Sequence, residues 1–207
     1  MRPAAELLLI ESAALRIALA PVPPDDFDRP TVCVGWSVRD VIAHCAAALT
    51  RTASGDLHDF SPEANQSDVD ARKSWQLEEL LEELHRGYQD AAVAIDRSGG
   101  ALDGVGLGEW IHGGDIREAL GLPGAYVSEG SDLAVPLLVE RSASRSMRSV
   151  VATIDGEVHS LGRDDGTPAA TLVTDVETFV RLCGGRSPNG AGFTLEGAAP
   201  DDLVLFS

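Results

Sequence analysis

Two separated stretches of this chain set imidazole on or beside otherwise apolar helical surface: GWSVRDVIAH, residues 35–44, and GEWIHGGDIREALG, residues 108–121. The second adds a carboxylate, Glu109, one turn before its histidine. Burying an imidazole or a carboxylate costs free energy unless it finds a partner, and a metal ion is an efficient one. If His44, Glu109 and His112 converge, they supply three protein ligands and leave a position open, the arrangement a catalytic zinc uses.

On a helical wheel His44 flanks an arc of Val38, Val41, Ile42, Cys45, Ala48 and Leu49, while Glu109 and His112 share a face with Val105, Ile116 and Ala119. The plain alternative is that both histidines are hydrogen-bonded core residues and that Glu109 and His112 make an ordinary helix contact. A di-iron bundle, the specific competitor, would need two Glu-x-x-His motifs and two further glutamates facing one core.

Other residues near these stretches carry two readings each. Gly113 and Gly114 weaken a helix by about 1 kcal/mol apiece relative to Ala, which either close helix packing or room for a ligand would justify. Asp115, one turn past His112, can orient its ring as an acceptor or can pair with Arg39 or Arg117. Arg186, after a Gly-Gly pair, can reach a substrate carboxylate or stand in solvent. Cys45 reads as a small buried hydrophobe, and nothing in the sequence fixes a base beside Cys33. There is no GxSxG, P-loop or GxGxxG to support hydrolase, NTPase or dinucleotide chemistry.

The elements that must position these groups follow from periodicity and breakers. Residues 4–20 read as a helix stopped by PVPPDD, and Ser37 opens a second helix to about Thr52 through a capping box with Asp40. Residues 53–73 read as a long polar loop with room for a short helical turn. Ser74 can cap a third helix over 75–97, and after SGGALDG a fourth runs to Leu120, closed by Gly121 and Pro123. Four helices joined in this way make an antiparallel bundle, assigned to residues 1–124. From 125 to 207 the pattern is a helix near 130–147, strands at 150–154, 157–161 and 170–173, a helix at 176–182, the turn-rich GGRSPNG and a strand at 192–195. The fold class expected is α+β, a four-helix bundle with a smaller α/β domain.

Composition bounds the partners. A formal charge of −17 argues against nucleic acid and anionic membrane surfaces, because both need clustered Lys and Arg. Three scattered cysteines make neither a disulfide framework nor a CxxC knuckle, which makes a reducing cytoplasm the expected compartment. The LLLI near the N-terminus is interrupted by Glu6, Glu11 and Arg16 as in an amphipathic helix. The sequence is silent on oligomeric state, and a homodimer stays open.

The segments PTVCVGWSVRDVIAH and HGGDIREALGLP resemble the mycothiol-dependent maleylpyruvate isomerase family, part of the wider DinB-like superfamily of metal-binding bundles. VTDVETFVRLCGGRSPNG is similar to that family's C-terminal domain, which resembles sterol carrier proteins. The resemblance implies an N-terminal DinB-like bundle holding a divalent metal, usually zinc, with ligands at His44 and His112. The family carboxylate, in a Glu-x-x-x-His pattern, falls on Gly108, and the acid at hand is Glu109. It further implies mycothiol as a thiol cosubstrate, isomerisation or S-transfer on a small electrophile such as an unsaturated dicarboxylate, and Arg186 as the group orienting an anionic substrate. A small-ligand-binding or structural member of the same fold that has lost the metal site is the alternative.

Overall fold

Each helix that carries the candidate residues begins or ends on a local signal. Ser37 accepts from the Asp40 amide while the Asp40 carboxylate accepts from the Ser37 amide, and this reciprocal cap opens α2, Val38–Ser54. Gly55, at φ 78°, closes α2 in the left-handed conformation that other residues resist. Gly121 closes α5, Asp103–Leu120, in the same way. The computed structural model describes residues 1–145, 147–163, 166, 169–188 and 192–206. They divide into two units, Met1–Gly130 and Ser131–Ser207.

In the first unit, α1 (Pro3–Leu19) packs on α4 (Leu77–Arg97) and on α5, and α2 packs on the same two helices. The four close a bundle around Leu7, Leu8, Ile42, Leu49, Leu80, Ile95, Trp110 and Ile116. α5 is buried around most of its circumference, which explains its glycines. A Cβ at Gly106 would lie 2.7 Å from the Ala4 carbonyl oxygen. Residues 125–130 pack with this unit: Tyr126 is buried, and Glu129 accepts from the Trp110 indole at 3.3 Å.

In the second unit, α6 (Ser131–Ser144) and α7 (Val176–Cys183) accompany a four-stranded sheet, ordered β2-β1-β3-β4. The strands are β1 (Val150–Ile154), β2 (Glu157–Leu161), β3 (Ala170–Thr174) and β4 (Thr194–Glu196). β1 pairs antiparallel with β2 and parallel with β3, and β4 pairs antiparallel with β3. Val150, Ala152, Ile154, Ala170 and Leu172 alternate into the core with period two. Asp175 caps α7 by accepting from the Thr178 amide at 2.7 Å.

The mixed helical and sheet architecture is as expected, but three local readings change. Residues 53–73 contain a full helix, α3 (Pro62–Arg72), capped by Ser61 and begun by Pro62. It buries only Val69, so its periodic signal is almost absent. α4 starts at Leu77 with Gln76 and Glu79 at its cap, not with Ser74. The last strand is Thr194–Glu196 rather than 192–195, and Asn189 and Gly190 of the turn-rich segment lie outside the described residues. No helix among the described residues is long and apolar enough to cross a membrane.

Candidate functional site

α2 and α5 lie side by side in the first unit, and their packing brings His44 to His112. The ring centroids are 5.1 Å apart with the planes at 81°. The Trp36 indole also lies against His44, its centroid 4.9 Å away. Trp36 is held in turn by a 2.9 Å hydrogen bond to Gln66 on α3, which gives the helix missed in the sequence a part in the site. His44 is 8% exposed, and its Nδ1 has no hydrogen-bond partner. Burial, and then the neighbouring His112, push its pKa down to about 3, so the ring is neutral and able to give a lone pair.

Glu109 is 4% exposed and its Oε2 is likewise without a partner. Burial raises its pKa to about 7, against the pull of His112 and the Cys45 thiol. Each of these orphaned buried polar atoms calls for a reason. Cys45 itself is fully buried, and burial together with the Glu109 carboxylate pushes its thiol well above the ordinary range. That leaves it an inert hydrophobe, as expected.

His112 is fixed from its own helix. Its Nδ1 lies 2.9 Å from Oδ2 of Asp115, one turn on, and Asp115 is completely buried. Tyr126 donates to the other Asp115 oxygen at 2.6 Å and lies 3.2 Å from Glu118 Oε2. Burial opposes the charged imidazole, but Asp115 and Cys33 outweigh it and hold His112 up to about 10. Of the partners open to Asp115 in the sequence, His112 is the one adopted. Arg117 instead makes a buried pair with Glu11 at 2.7 Å, and Arg39 donates to the Trp75 carbonyl.

The two central glycines are explained by packing. A Cβ at Gly113 would overlap the Glu11 carboxylate, and one at Gly114 would lie 2.5 Å from both the Ala125 oxygen and the Tyr126 ring. They make room for the groups that hold α5 in place rather than for a ligand.

Sequence reasoning set aside Cys33, yet the fold brings it to His112. Its Sγ lies 3.3 Å from Asp115 Oδ2 and 3.8 Å from His112 Nδ1. A tight turn delivers it: the Trp36 amide donates to the Cys33 carbonyl at 2.9 Å, with Gly35 at φ 85°. The Thr31 hydroxyl accepts from the Cys33 amide and donates to the Trp36 carbonyl. Turn chemistry in Thr-x-Cys-x-Gly-Trp, directly ahead of a capping box, was the available signal. Arg186 stands in the second unit, just after α7, where it donates to the Gly184 carbonyl.

Residues 8–108 match the model of the mycothiol maleylpyruvate isomerase N-terminal domain. Residues 8–108 are thus similar to that N-terminal domain family. The solved structure of a mycothiol-dependent maleylpyruvate isomerase has a similar fold, with a TM-score of 0.60, 15% identity, and cover of 92% of this chain and 91% of that one. A variant of such an enzyme with one histidine replaced by alanine matches with the same score and cover at 14% identity. Comparison with curated protein sequences gives no significant match. Gly108 is half-buried, and Glu109 beside it is buried.

Proposed function

We propose that the chain is a metal-dependent enzyme using mycothiol as cosubstrate, with His44, Glu109 and His112 as ligands of a zinc ion. The observation that supports it best is the pair of imidazoles 5.1 Å apart, with His44 Nδ1 and Glu109 Oε2 each buried without a hydrogen-bond partner. Two imidazoles on one tetrahedral ion with bonds of ~2.0–2.1 Å place their ring centroids ~5 Å apart. The two imidazoles are thus spaced as two ligands of one ion would be, although the donor atoms of His44, Glu109 and His112 do not all lie within 4.8 Å of one another, so Glu109 would have to move to complete the set. A bound divalent cation supplies a Lewis-acidic position that keeps a thiol deprotonated near neutral pH.

The chain's own groups do the rest. Asp115 accepts from His112 and sets which ring nitrogen carries the proton, and Tyr126 holds Asp115 in turn. His44 stays neutral because it is buried beside a second imidazole. Trp36 packs against the His44 ring. Arg186 is proposed to orient an anionic, electrophilic substrate such as an unsaturated dicarboxylate, to which the thiolate of mycothiol adds. Rotation about the saturated bond and loss of the thiolate would complete cis–trans isomerisation, whereas retention of sulfur would be S-transfer. The smaller unit is read as the sterol-carrier-like domain of such enzymes.

Gly108 favours a second reading, a ligand-binding member of the family without turnover. The test is an assay of the chain with mycothiol and a cis-unsaturated dicarboxylate, alongside metal analysis. Turnover with near-stoichiometric zinc, both lost in His112→Ala, supports the enzyme. Bound metal without turnover supports the second reading, and a metal-free protein indifferent to chelator rejects the metal.

A further inference from the structure

Three different donor atoms meet on the Asp115 side of His112. Cys33 Sγ, His112 Nδ1 and Asp115 Oδ2 all lie within 4.8 Å of one another, on an element order that brings a loop residue to two residues of α5. The separations are 3.8 Å for sulfur to nitrogen, 3.3 Å for sulfur to oxygen and 2.9 Å for nitrogen to oxygen. On a tetrahedral zinc, with bonds of ~2.3 Å to sulfur and ~2.0–2.2 Å to nitrogen and oxygen, the same atoms stand ~3.4–3.6 Å apart. Each edge of the observed triangle is thus within about half an ångström of what an ion would impose. We propose that Cys33, His112 and Asp115 form a thiolate-containing site for a thiophilic divalent cation such as zinc, a donor set different from His44, Glu109 and His112.

The geometry argues against a nucleophile–base–acid relay built from the same residues. A relay needs the thiol on one imidazole nitrogen and the carboxylate on the other. Here both face Nδ1, so the three atoms converge on one point, as ligands do. Each is also positioned from outside. The turn through Gly35 and the Thr31 hydroxyl fixes Cys33, and Tyr126 fixes Asp115 through its other oxygen. Such supporting contacts set the geometry of a metal site.

Binding would release the thiol proton of Cys33 to solvent and displace the Nδ1 proton of His112, so that sulfur and nitrogen each give a lone pair to the ion. The soft sulfur selects zinc or cobalt over magnesium or calcium. The site concerns the ion alone and does not depend on mycothiol or on turnover.

Titrating the metal-free, reduced full-length chain with cobalt(II) tests it. The expected result is a bound equivalent with a sulfur-to-cobalt charge-transfer absorption. Cys33→Ser should abolish that absorption and weaken binding at this site on the order of 100-fold, and Asp115→Asn should weaken it. Cys33 lies in a partly exposed turn, so its serine variant tests the site even if Asp115→Asn fails to fold. Cobalt bound without a sulfur absorption, and lost in His44→Ala and Glu109→Gln, would overturn this site while upholding the ligands proposed above. An absorption surviving Cys33→Ser would overturn it as well. No binding at all would reject both.

Discussion

His112 Nδ1 sits 2.9 Å from Asp115 Oδ2, and Tyr126 clamps the opposite Asp115 oxygen at 2.6 Å. This chain of three side chains anchors the one imidazole that every reading of the site requires. Burial lowers the His112 pKa and Asp115 is the larger of the two groups that outweigh it, so Asp115→Asn should bring that pKa down from about 10. Imidazole NMR against pH measures it, and an unchanged midpoint would show that Asp115 is not the controlling partner. The same variant should cost about 3 kcal/mol of stability, as expected for one partner of a buried charged pair.

The Glu11–Arg117 pair, 2.7 Å apart, is buried on both sides and braces α1 against α5. Glu11→Ala leaves a buried guanidinium without its partner and should destabilise by about 3–5 kcal/mol in denaturant titration. Replacing both residues with methionine should recover much of that loss. A single-residue effect under about 1 kcal/mol would mean that solvent reaches the pair.

Gly113→Ala should lower the melting temperature although alanine is the better helix former. The gain of about 1 kcal/mol in propensity is set against overlap with the Glu11 carboxylate. Overpacking costs about 1–3 kcal/mol, so the net loss should be visible as a fall of several degrees. Calorimetry decides, and a stabilised variant would reveal slack between α1 and α5.

The site groups give metal-free protein a stability profile of definite sign. His44 is held near 3, so its contribution is present above the ordinary histidine value of 6.5 and is lost as pH falls towards 3. Glu109, raised to about 7, contributes oppositely between 4.5 and 7, so the two offset each other there. His112, raised to about 10, contributes stability below 6.5 that disappears as pH rises through 10. Stability should therefore decline from about pH 6.5 to 10, and His112→Ala should flatten that limb in urea titrations. A profile still falling in the variant would assign the effect elsewhere.

Thiol labelling should separate the three cysteines. Cys45 and Cys183 are buried, and burial raises both thiols, whereas Cys33 is partly exposed. A soluble alkylating reagent should modify Cys33 in the folded protein and reach the others at least about 1,000-fold more slowly, through unfolding. Peptide mass mapping would show it, and early modification of Cys45 would contradict the packing of α2.

The sequence determined the parts of this protein governed by local periodicity. The capping box at Ser37, the apolar spacing of α4 and the period-two strands β1 and β3 are each encoded within about 20 residues, and each forms as read. The pairing of His44 with His112 was legible only as a conjecture, because it depends on which faces of α2 and α5 meet. α3 escaped notice because one buried valine leaves no amphipathic signal. Tertiary structure alone decided that Gly113 and Gly114 serve packing, that Arg117 belongs to Glu11, and that Cys33 stands beside Asp115. Those pairings join residues up to 106 positions apart, and what selects among such partners is the cost of burying charge and volume without a match, a quantity fixed only when the helices have packed.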